Sequence, residues 1–294
     1  MRTLRAATRG SPLARWQAEH VAARLRAVDP GIAVELVVVD TQGDRRQDVP
    51  IWELGGKGVF AKEVQAAVLD GRADLAVHSA KDLPSVTVPG LVLAAVPERG
   101  DPRDALIGST LADLPEGAEV ATGSRRRQVE LLRHRPDLRF ASLRGNMHTR
   151  IAKAADHDAV VVAATALDRL GVADRISERL PTDVMVPQVA QAALAVECRE
   201  DDVDLRAALA RIEHPSTRRC VDAERAFLAE LGGDCSLPAG AHAVLDGDAV
   251  HLQAFLASPD GRVMHRGERT GSDASIGAAL ARHLRDLGGP ALLG

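Results

Sequence analysis

The amino-acid sequence predicts an α/β protein: two α/β lobes joined by a two-strand hinge, then a small C-terminal α+β domain with a three-stranded antiparallel sheet. Three observations predict this class. Strand-like apolar runs alternate with helix-like periodic segments up to about residue 187. Proline-containing connectors lie near 97–102 and 187–192, and after about residue 215 alternating runs are separated by hairpin signals. The predicted domains are residues 1–97 with 193–212, residues 101–188, and residues 215–294.

In the first lobe, a helix beginning near Pro12 follows a short strand, and its apolar residues recur at helical spacing. The continuous apolar run Val34–Val39 is typical of a strand buried on both faces. The predicted elements are a strand at Leu4–Ala7, the helix from Pro12, the strand Val34–Val39, a polar loop at Thr41–Asp48, a helix at Phe60–Leu69 and a strand at Leu75–Val77. Alternation of this kind predicts a parallel sheet with ligands at the carboxyl ends of its strands.

The same kinds of pattern predict the strands and helices of the second lobe and of the C-terminal domain. Predicted strands of the second lobe are Ala105–Ile107, Glu119–Thr122, Arg139–Leu143 and Ala159–Ala163, with helices at Ser124–Leu132, His148–Ala155 and Ala164–Leu170. The run Leu194–Glu197 is expected to rejoin the first sheet. In the C-terminal domain a helix at Ser216–Leu231 and a last helix at Ala274–Asp286 flank three strands separated by Asp246-Gly247 and Pro259-Asp260-Gly261.

Composition excludes several classes of function. Only 2% of the 294 residues are aromatic and there is no tyrosine, which argues against stacking on single-stranded nucleic acid. The net charge of −4 gives no overall attraction for polyanions, and no apolar run is long enough to span a bilayer. Three cysteines without a pairing motif favour a reducing compartment, and we expect a cytoplasmic location. No set of residues predicts a metal site.

One cysteine is set apart from the other two. Cys235 lies in Gly232-Gly233-Asp234-Cys235-Ser236-Leu237-Pro238, where glycines and proline prevent a helix or strand from running through. The adjacent Asp234 disfavours the thiolate, so this thiol suits a sulfur that is alkylated once better than a cycling nucleophile. An inert thiol in a turn is the alternative. Cys198 and Cys220 have apolar patterns around them and are predicted core residues.

The charges are unevenly distributed along the chain. Between Thr122 and Arg150, eight arginines stand against two acidic residues, a local net charge of +6 in a chain of net −4. Arg126 and Arg127 open a predicted helix and Arg144 follows a predicted strand, positions from which guanidinium groups could bind carboxylates or phosphates. For Arg133, Arg135 and Arg139, a solvated helix face is an equal alternative.

A carboxylate and a lysine follow the strand Leu75–Val77 directly. In His78-Ser79-Ala80-Lys81-Asp82, the acid could be an ordinary cap or turn residue. As a functional group it would be a carboxylate kept ionised by a neighbouring cation, able to stabilise positive charge or exchange a proton.

Six motifs together carry a resemblance to the porphobilinogen deaminase (hydroxymethylbilane synthase) family over essentially the whole chain. They are Ala7-Thr8-Arg9-Gly10-Ser11-Pro12-Leu13-Ala14, Gly55-Gly56-Lys57-Gly58-Val59-Phe60, His78-Ser79-Ala80-Lys81-Asp82, Ser124-Arg125-Arg126-Arg127-Gln128, Ser142-Leu143-Arg144-Gly145-Asn146 and the Cys235 loop. No single motif is specific, but six in this order are.

The resemblance implies a transferase that joins four porphobilinogen molecules head to tail, releasing ammonia, on a covalent dipyrromethane cofactor. It implies a thioether from the cofactor to Cys235, and Asp82 as the catalytic carboxylate that stabilises a cationic azafulvene. Cofactor binding is implied for Lys81, Thr122, Ser124, Arg126, Arg127, Arg144 and Arg150, and substrate binding for Arg9, Ser11, Lys57 and Arg169. A monomer that binds neither nucleic acid nor membrane is expected.

Two places depart from the family pattern. Gly123 and Arg125 replace a usual serine and leucine, and Ala190-Gln191-Ala192 stands where Gly-Gln-Gly is common. The alternatives to a transferase are a solute-binding or sensor module, because the two lobes resemble periplasmic binding proteins, and an RNA-binding protein that uses the arginine-rich stretch. The first leaves Cys235 and Asp82 unexplained, and the second is disfavoured by the scarce aromatics.

Overall fold

The structure is a computed structural model that describes residues 2–45, 58–232, 238–258 and 260–288. Within these residues the strands are β1 (Arg2–Arg9), β2 (Ile32–Val39), β3 (Leu75–Ser79), β4 (Leu91–Ala95), β5 (Asp104–Ile107), β6 (Glu119–Ala121), β7 (Arg139–Ala141), β8 (Ala159–Ala163), β9 (Glu178–Arg179), β10 (Leu194–Arg199), β11 (Ala239–Asp246), β12 (Ala249–Ala257) and β13 (Met264–Gly271). The α-helices are α1 (Pro12–Val28), α2 (Gln42–Arg45), α3 (Lys62–Leu69), α4 (Arg125–His134), α5 (Met147–Ala152), α6 (Ala164–Arg169), α7 (Val203–Ala210), α8 (Pro215–Glu230) and α9 (Ser275–Gly288).

The chain forms two compact units, one of residues 1–100 with 192–219 and one of residues 101–191 with 220–294. The α/β class with two five-stranded sheets and a three-stranded antiparallel sheet is confirmed. The three domain boundaries stay a prediction. The expected hinge strands are irregular instead, because 96–103 and 180–193 contain neither helix nor strand. Both segments contain prolines, which cannot donate to a sheet.

In the first unit the sheet has the order β2-β1-β3-β10-β4. Strand β1 runs parallel to β2 and β3, whereas β10 runs antiparallel to β3 and β4. Helices α1 and α7 cover one face and α3 covers the other. The run Leu194–Glu197 therefore rejoins this sheet as predicted, but the expectation of a wholly parallel sheet is wrong. Hydrophobic periodicity carries no information on strand direction.

Strand β2 is an edge strand that is only partly buried, whereas the apolar run predicted a strand fully buried on both faces. Only Ile32 and Val39 of its eight residues are buried, and Val38 is 47% exposed. The apolar run reflects packing under helices on both sides without a second neighbouring strand. The predicted polar loop at Thr41–Asp48 contains the short helix α2, and its last three residues lie outside the described ones.

Besides α2, the strands β4 and β9 and the helix α7 of the described residues were not predicted. Helix α7 buries only Leu205 and Leu209, too few positions to form a recognisable apolar stripe. It begins where the Asp202 side chain accepts a hydrogen bond from the Leu205 N–H at 3.0 Å. Strand β9 has two residues, which is below the length that an alternating pattern can reveal.

The second unit contains a sheet of the same plan, with the order β7-β6-β8-β5-β9. Strand β6 runs parallel to β7 and β8, and β5 runs antiparallel to β8 and β9. In both sheets the antiparallel strand, β10 or β5, is fourth in the order and is the first strand after the chain passes from one unit to the other. Helix α4 covers one face, and α5 and α6 cover the other.

The C-terminal part of the second unit has the predicted sheet β11-β12-β13, with α8 and α9 packed together. A Cβ at Gly277 of α9 would lie 2.0 Å from the Ala223 carbonyl oxygen of α8, so only glycine allows this approach. Phe255 and Ala257 of β12 pack against Val129 of α4. The sheet is thus attached to the α4 side of the second unit.

The cysteine predictions are tested for two of the three residues. Cys198 and Cys220 are buried, as predicted. Burial raises the pKa of the Cys198 thiol to about 11, which makes it inert at neutral pH. None of the helices in the described part of the chain has the length and apolar content needed to cross a bilayer. The described residues also contain no group of three potential metal-ligating side chains.

Candidate functional site

Asp82 lies at the carboxyl end of β3, where a single 3₁₀ turn, Ala80–Asp82, follows the strand. The turn ends because Leu83 precedes Pro84 and takes an extended conformation (φ −77°, ψ 142°). The Ala80 N–H donates to the Ala193 carbonyl at 3.0 Å, which ties the turn to the residue before β10. The sequence therefore holds this carboxylate on a short turn at the carboxyl end of β3 in the first sheet.

Three predicted site residues, Arg9, Ser11 and Asp82, line one pocket of the first unit. The other lining residues that bear polar or aromatic groups are Gln17, Phe60, His78 and Ser79. Ser11 is the N-cap of α1, and its side chain accepts a hydrogen bond from the Ala14 N–H at 3.3 Å. The structure thus brings these three predicted residues together near the carboxyl ends of β1 and β3, and their functional roles stay a prediction.

The Asp82 carboxylate differs from the two other acids near the pocket. Asp44 is paired with Arg9, and Glu197 accepts a hydrogen bond from the Gln65 amide at 2.9 Å. No described residue donates a hydrogen bond to the Asp82 side chain or forms an ion pair with it. This partly exposed carboxylate is therefore open to hydrogen bonds from solvent or from a ligand.

His78 lies beneath the pocket and is buried beside Glu197. Its Nε2 is 3.2 Å from a Glu197 carboxylate oxygen, and both side chains are almost inaccessible. This contact joins β3 to β10 inside the sheet. His78 is therefore a structural histidine with one edge on the pocket.

Arg9 is held at the end of β1 by two groups. Its Nε and Nη2 donate to the two carboxylate oxygens of Asp44, at 3.0 and 2.5 Å, and its guanidinium carbon lies 4.0 Å from the centre of the Phe60 ring. Burial alone would raise the pKa of Asp44, but the hydrogen bonds and charge of Arg9 and the hydrogen bonds of Thr41 hold it below its ordinary value. Asp44 was not predicted as a site residue.

Three further predicted residues are Lys81, Lys57 and Cys235. Lys81 lies in the same turn as Asp82 and is partly buried. The residue is not without an interaction partner. Lys57, in the glycine cluster, and Cys235, in the C-terminal loop, lie outside the described residues.

Arg126 and Arg127 are buried in the second unit and share one carboxylate. Asp104, which has no exposed surface, accepts from Arg126 Nη2 at 2.6 Å and from Arg127 Nε and Nη2 at 3.0 and 2.8 Å. Arg126 Nη1 donates to the Val186 carbonyl at 2.6 Å and Arg127 Nη1 to the Val161 carbonyl at 3.0 Å. These donors therefore fasten the start of α4 to its neighbours inside the unit.

The electrostatics of this cluster are dominated by burial and by the arginines. Burial would raise the pKa of Asp104, but the charges and hydrogen bonds of Arg126 and Arg127 lower it to about 2. Burial also lowers the pKa of Arg127, against the opposing attraction of Asp104. Two cations and one anion leave the cluster with a net charge of +1. Direct binding of cofactor by this arginine pair stays a prediction.

Gln191 connects this cluster to the segment that departs from the family pattern. Its amide nitrogen donates to the Pro102 carbonyl at 2.7 Å and to Asp104 at 3.0 Å. Its neighbours Ala190 (φ 57°) and Ala192 (φ 71°) both have the left-handed backbone that favours glycine. The conformation expected of Gly-Gln-Gly is thus kept here with alanines.

The loop before α4 brings two further predicted residues together. The buried Thr122 side chain accepts from the Ser124 N–H at 3.3 Å, and Ser124 is the N-cap of α4. Between them, a Cβ on Gly123 would lie 2.8 Å from the Leu143 carbonyl oxygen. Glycine at this position therefore permits a close approach between the loop and the segment that carries Arg144.

The remaining predicted arginines lie in two places of the second unit. Arg150 on α5 donates from Nε to the Gly145 carbonyl at 2.9 Å, and Arg144 is partly buried just before that glycine. Arg169 ends α6, where loss of solvent lowers its pKa to about 10 despite the opposing effect of Asp168. It stays charged at neutral pH.

Two arginines of the basic stretch are structural. Arg135 forms a two-point pair with Asp137 and also donates to the carbonyls of Leu111, Leu114 and Pro115. Arg139 donates to the Gly117 carbonyl at 2.9 Å. Both side chains thus hold the loop before β6. This structural role is neither the solvated helix face nor the anion site that the sequence left open.

Comparison with known proteins decides the family. The family model "Porphobilinogen deaminase, dipyromethane cofactor binding domain" matches residues 4–207, and "Porphobilinogen deaminase, C-terminal domain" matches residues 218–286. The chain belongs to the porphobilinogen deaminase family. A porphobilinogen deaminase from Syntrophus aciditrophicus (strain SB) is 48% identical over 294 residues, covering 97% of this chain and 96% of the relative.

Solved structures outside the porphobilinogen deaminase family show weaker similarity. A nutrient-binding protein from Burkholderia cenocepacia bound to methionine has 14% identity and a TM-score of 0.44, covering 78% of this chain and 96% of that one. A lipoprotein from Ruminococcus gnavus has 12% identity and a TM-score of 0.43, covering 80% and 98%. Both TM-scores lie below 0.5, so these similarities carry no functional argument.

Proposed function

We propose that the chain condenses four porphobilinogen molecules head to tail, with release of ammonia, on a covalently bound dipyrromethane, and that water then releases hydroxymethylbilane. Family membership over nearly the whole length supports this reaction. The observation that carries it to particular residues is the pocket in which the Asp82 carboxylate lies with Arg9 and Ser11.

The chemistry of Asp82 fits the substrate. Porphobilinogen is a pyrrole whose N–H can donate to a carboxylate, and loss of ammonia from its aminomethyl group leaves a cation conjugated with the ring. A carboxylate fixed on a rigid turn, with no donor among the described residues, could accept that N–H and stabilise the positive charge. Arg9 and Ser11 would bind the acetate and propionate groups at the same pocket.

The family's cofactor also fits donor and acceptor groups of this chain. When bound, dipyrromethane supplies the pyrrole carbon to which the first substrate is joined. We propose that Cys235 holds it through a thioether and that Asp82 accepts its N–H groups. Its carboxylates would be bound by Lys81, Arg144 and Arg150 together with Thr122 and Ser124, and Lys57 and Arg169 would serve the substrate.

We propose that Arg126 and Arg127 contribute to cofactor binding through their charge as well as through direct contact. Five of their nitrogen donors are directed at Asp104 and at two backbone carbonyls. The remaining net charge of +1 lies at the start of α4, which follows the Thr122–Ser124 loop directly, and it would lower the energy of an anionic ligand without a two-point pair. A cytoplasmic monomer with porphobilinogen as its only partner remains our expectation.

Substitution of Asp82 tests the proposal. We expect Asp82→Asn to keep the dipyrromethane, seen as an unchanged mass increment, while ammonia release from porphobilinogen falls by about 10²- to 10³-fold. Asp70→Asn is the control, because Asp70 is an exposed residue at the end of α3 and not part of the pocket. Turnover by Asp82→Asn close to that of this control would remove Asp82 from the mechanism.

A further inference from the structure

The short helix α2 places a second carboxylate behind the pocket. Asp44 accepts from Arg9 at two points, and Asp44 in turn is held by Thr41, whose hydroxyl donates to a carboxylate oxygen at 2.7 Å. Thr41 is fully buried, and its carbonyl also accepts the Asp44 N–H at 3.0 Å. Hydroxyl, carboxylate and guanidinium therefore form a chain of hydrogen bonds that ends at Arg9.

The aromatic face on the other side of Arg9 is fixed by the same helix. A Cβ on Gly43 would lie 2.2 Å from the Phe60 ring, so the ring packs directly on the backbone of α2. The Gly43 N–H also donates to the Val59 carbonyl at 3.4 Å. Arg9 is consequently held between a carboxylate and an aromatic ring that belong to one packed cluster.

The Arg9–Asp44 pair leaves one nitrogen of the Arg9 guanidinium group available. Nε and Nη2 are engaged by Asp44, while Nη1 has no acceptor among the described residues. Since Arg9 lines the pocket with Asp82, Nη1 is the group left to bind a ligand carboxylate there. Asp44 offsets the positive charge of Arg9 but restricts the rotation of its guanidinium group. The pair therefore orients Nη1 towards a ligand carboxylate at the cost of a weaker attraction for it.

We propose that Asp44 is a positioning residue for the reaction: with Thr41 and Phe60 it fixes the Arg9 guanidinium so that Nη1 receives a carboxylate of porphobilinogen beside Asp82. The inference rests on the proposed function. Asp44 acts through Arg9 and does not itself touch substrate.

A double-mutant cycle tests this role. Asp44→Asn keeps the size of the side chain but loses its charge, and we expect kcat/KM for porphobilinogen to fall about tenfold. Most of the loss should be in kcat, because the released Arg9 still attracts carboxylates and so preserves KM. In an Arg9→Lys background, where no two-point pair can form, Asp44→Asn should change kcat/KM less than about twofold.

Three further variants separate positioning from stability. Asp74→Asn is the matched control, because Asp74 forms the same kind of pair with Arg5 on the same strand, away from the pocket, and its kcat should be unchanged. Asp44→Glu should recover most of the loss. Thr41→Val should lower kcat in the same direction by a smaller factor, and it provides the measurement if Asp44→Asn does not fold.

The outcomes are distinguishable. Equal effects of Asp44→Asn with Arg9 and with Lys at that position, or an unchanged kcat in Asp44→Asn and Thr41→Val, would overturn the positioning role. A wild-type protein that releases no ammonia from porphobilinogen would instead contradict the proposed function.

Discussion

Replacing Asp104 by asparagine should be among the most destabilising single changes in the second unit. The carboxylate has no exposed surface and accepts hydrogen bonds from Arg126, Arg127 and Gln191. Asparagine has nearly the same volume, so the change removes charge and one acceptor without leaving a cavity. Two buried guanidinium groups would then lack their counter-ion.

The magnitude follows from the pKa of Asp104, which is about 2 in the folded protein against an ordinary 3.8. At about 1.4 kcal/mol for each pKa unit, the ionised carboxylate contributes about 2–3 kcal/mol of stability at neutral pH. Removal of one partner of a buried pair typically costs about 3–5 kcal/mol, because the stranded charge adds its own desolvation. We therefore expect Asp104→Asn to lower the free energy of unfolding by about 3 kcal/mol or more at pH 7.

The effect has a defined pH dependence. Since the pKa is depressed in the folded state, the contribution is complete above about pH 4 and is lost as the pH falls towards 2. Urea unfolding of wild type and Asp104→Asn at about pH 6 and about pH 3 measures this directly: the difference between the two proteins should narrow at the lower pH.

Asp137→Asn is the matched control for this measurement. Asp137 forms a two-point pair with Arg135 on the surface, so its replacement should cost a small fraction of the Asp104 effect. Equal losses in the two variants, or a loss in Asp104→Asn that is independent of pH, would refute the assignment of Asp104 as the ionised centre of the cluster.

The other predictions concern close contacts and a desolvated charge. Gly123→Ser should lower the melting temperature, because its Cβ would lie 2.8 Å from the Leu143 carbonyl oxygen; an unchanged melting temperature would show that the loop adjusts freely. Gly277→Ala should destabilise the packing of α8 and α9 by about 1–3 kcal/mol in urea unfolding, as its Cβ would approach Ala223 to 2.0 Å. Arg169→Met should lower kcat/KM for porphobilinogen, because the partly desolvated guanidinium group that we propose for substrate binding is lost; an unchanged kcat/KM would remove Arg169 from the binding site.

Much of the fold could be predicted from local patterns. The apolar stripe of α1, the N-caps Ser11 and Ser124 and the two hairpin signals each have a direct physical cause in neighbouring residues. The meeting of Arg9, Ser11 and Asp82 could also be predicted, because both strands end at the same edge of a parallel pair.

The parts that were missed depend on residues distant in sequence. The antiparallel direction of β10 and the edge position of β2 are set by tertiary pairing and not by periodicity. Asp44 and Asp104 look like ordinary acidic residues, and their roles arise only where Arg9, Arg126 and Arg127 meet them in space. Charge counting identified the arginine-rich stretch but could not separate inward-facing guanidinium groups from those available to a ligand.

The most direct test of the central claim is the intact mass of the purified protein and of its Cys235→Ser variant. The account predicts a wild-type mass that exceeds the sequence mass by one dipyrromethane, further increments after limited porphobilinogen, and an unmodified Cys235→Ser variant. An active wild type at its unmodified sequence mass, or a Cys235→Ser variant that still carries the increment, would contradict it.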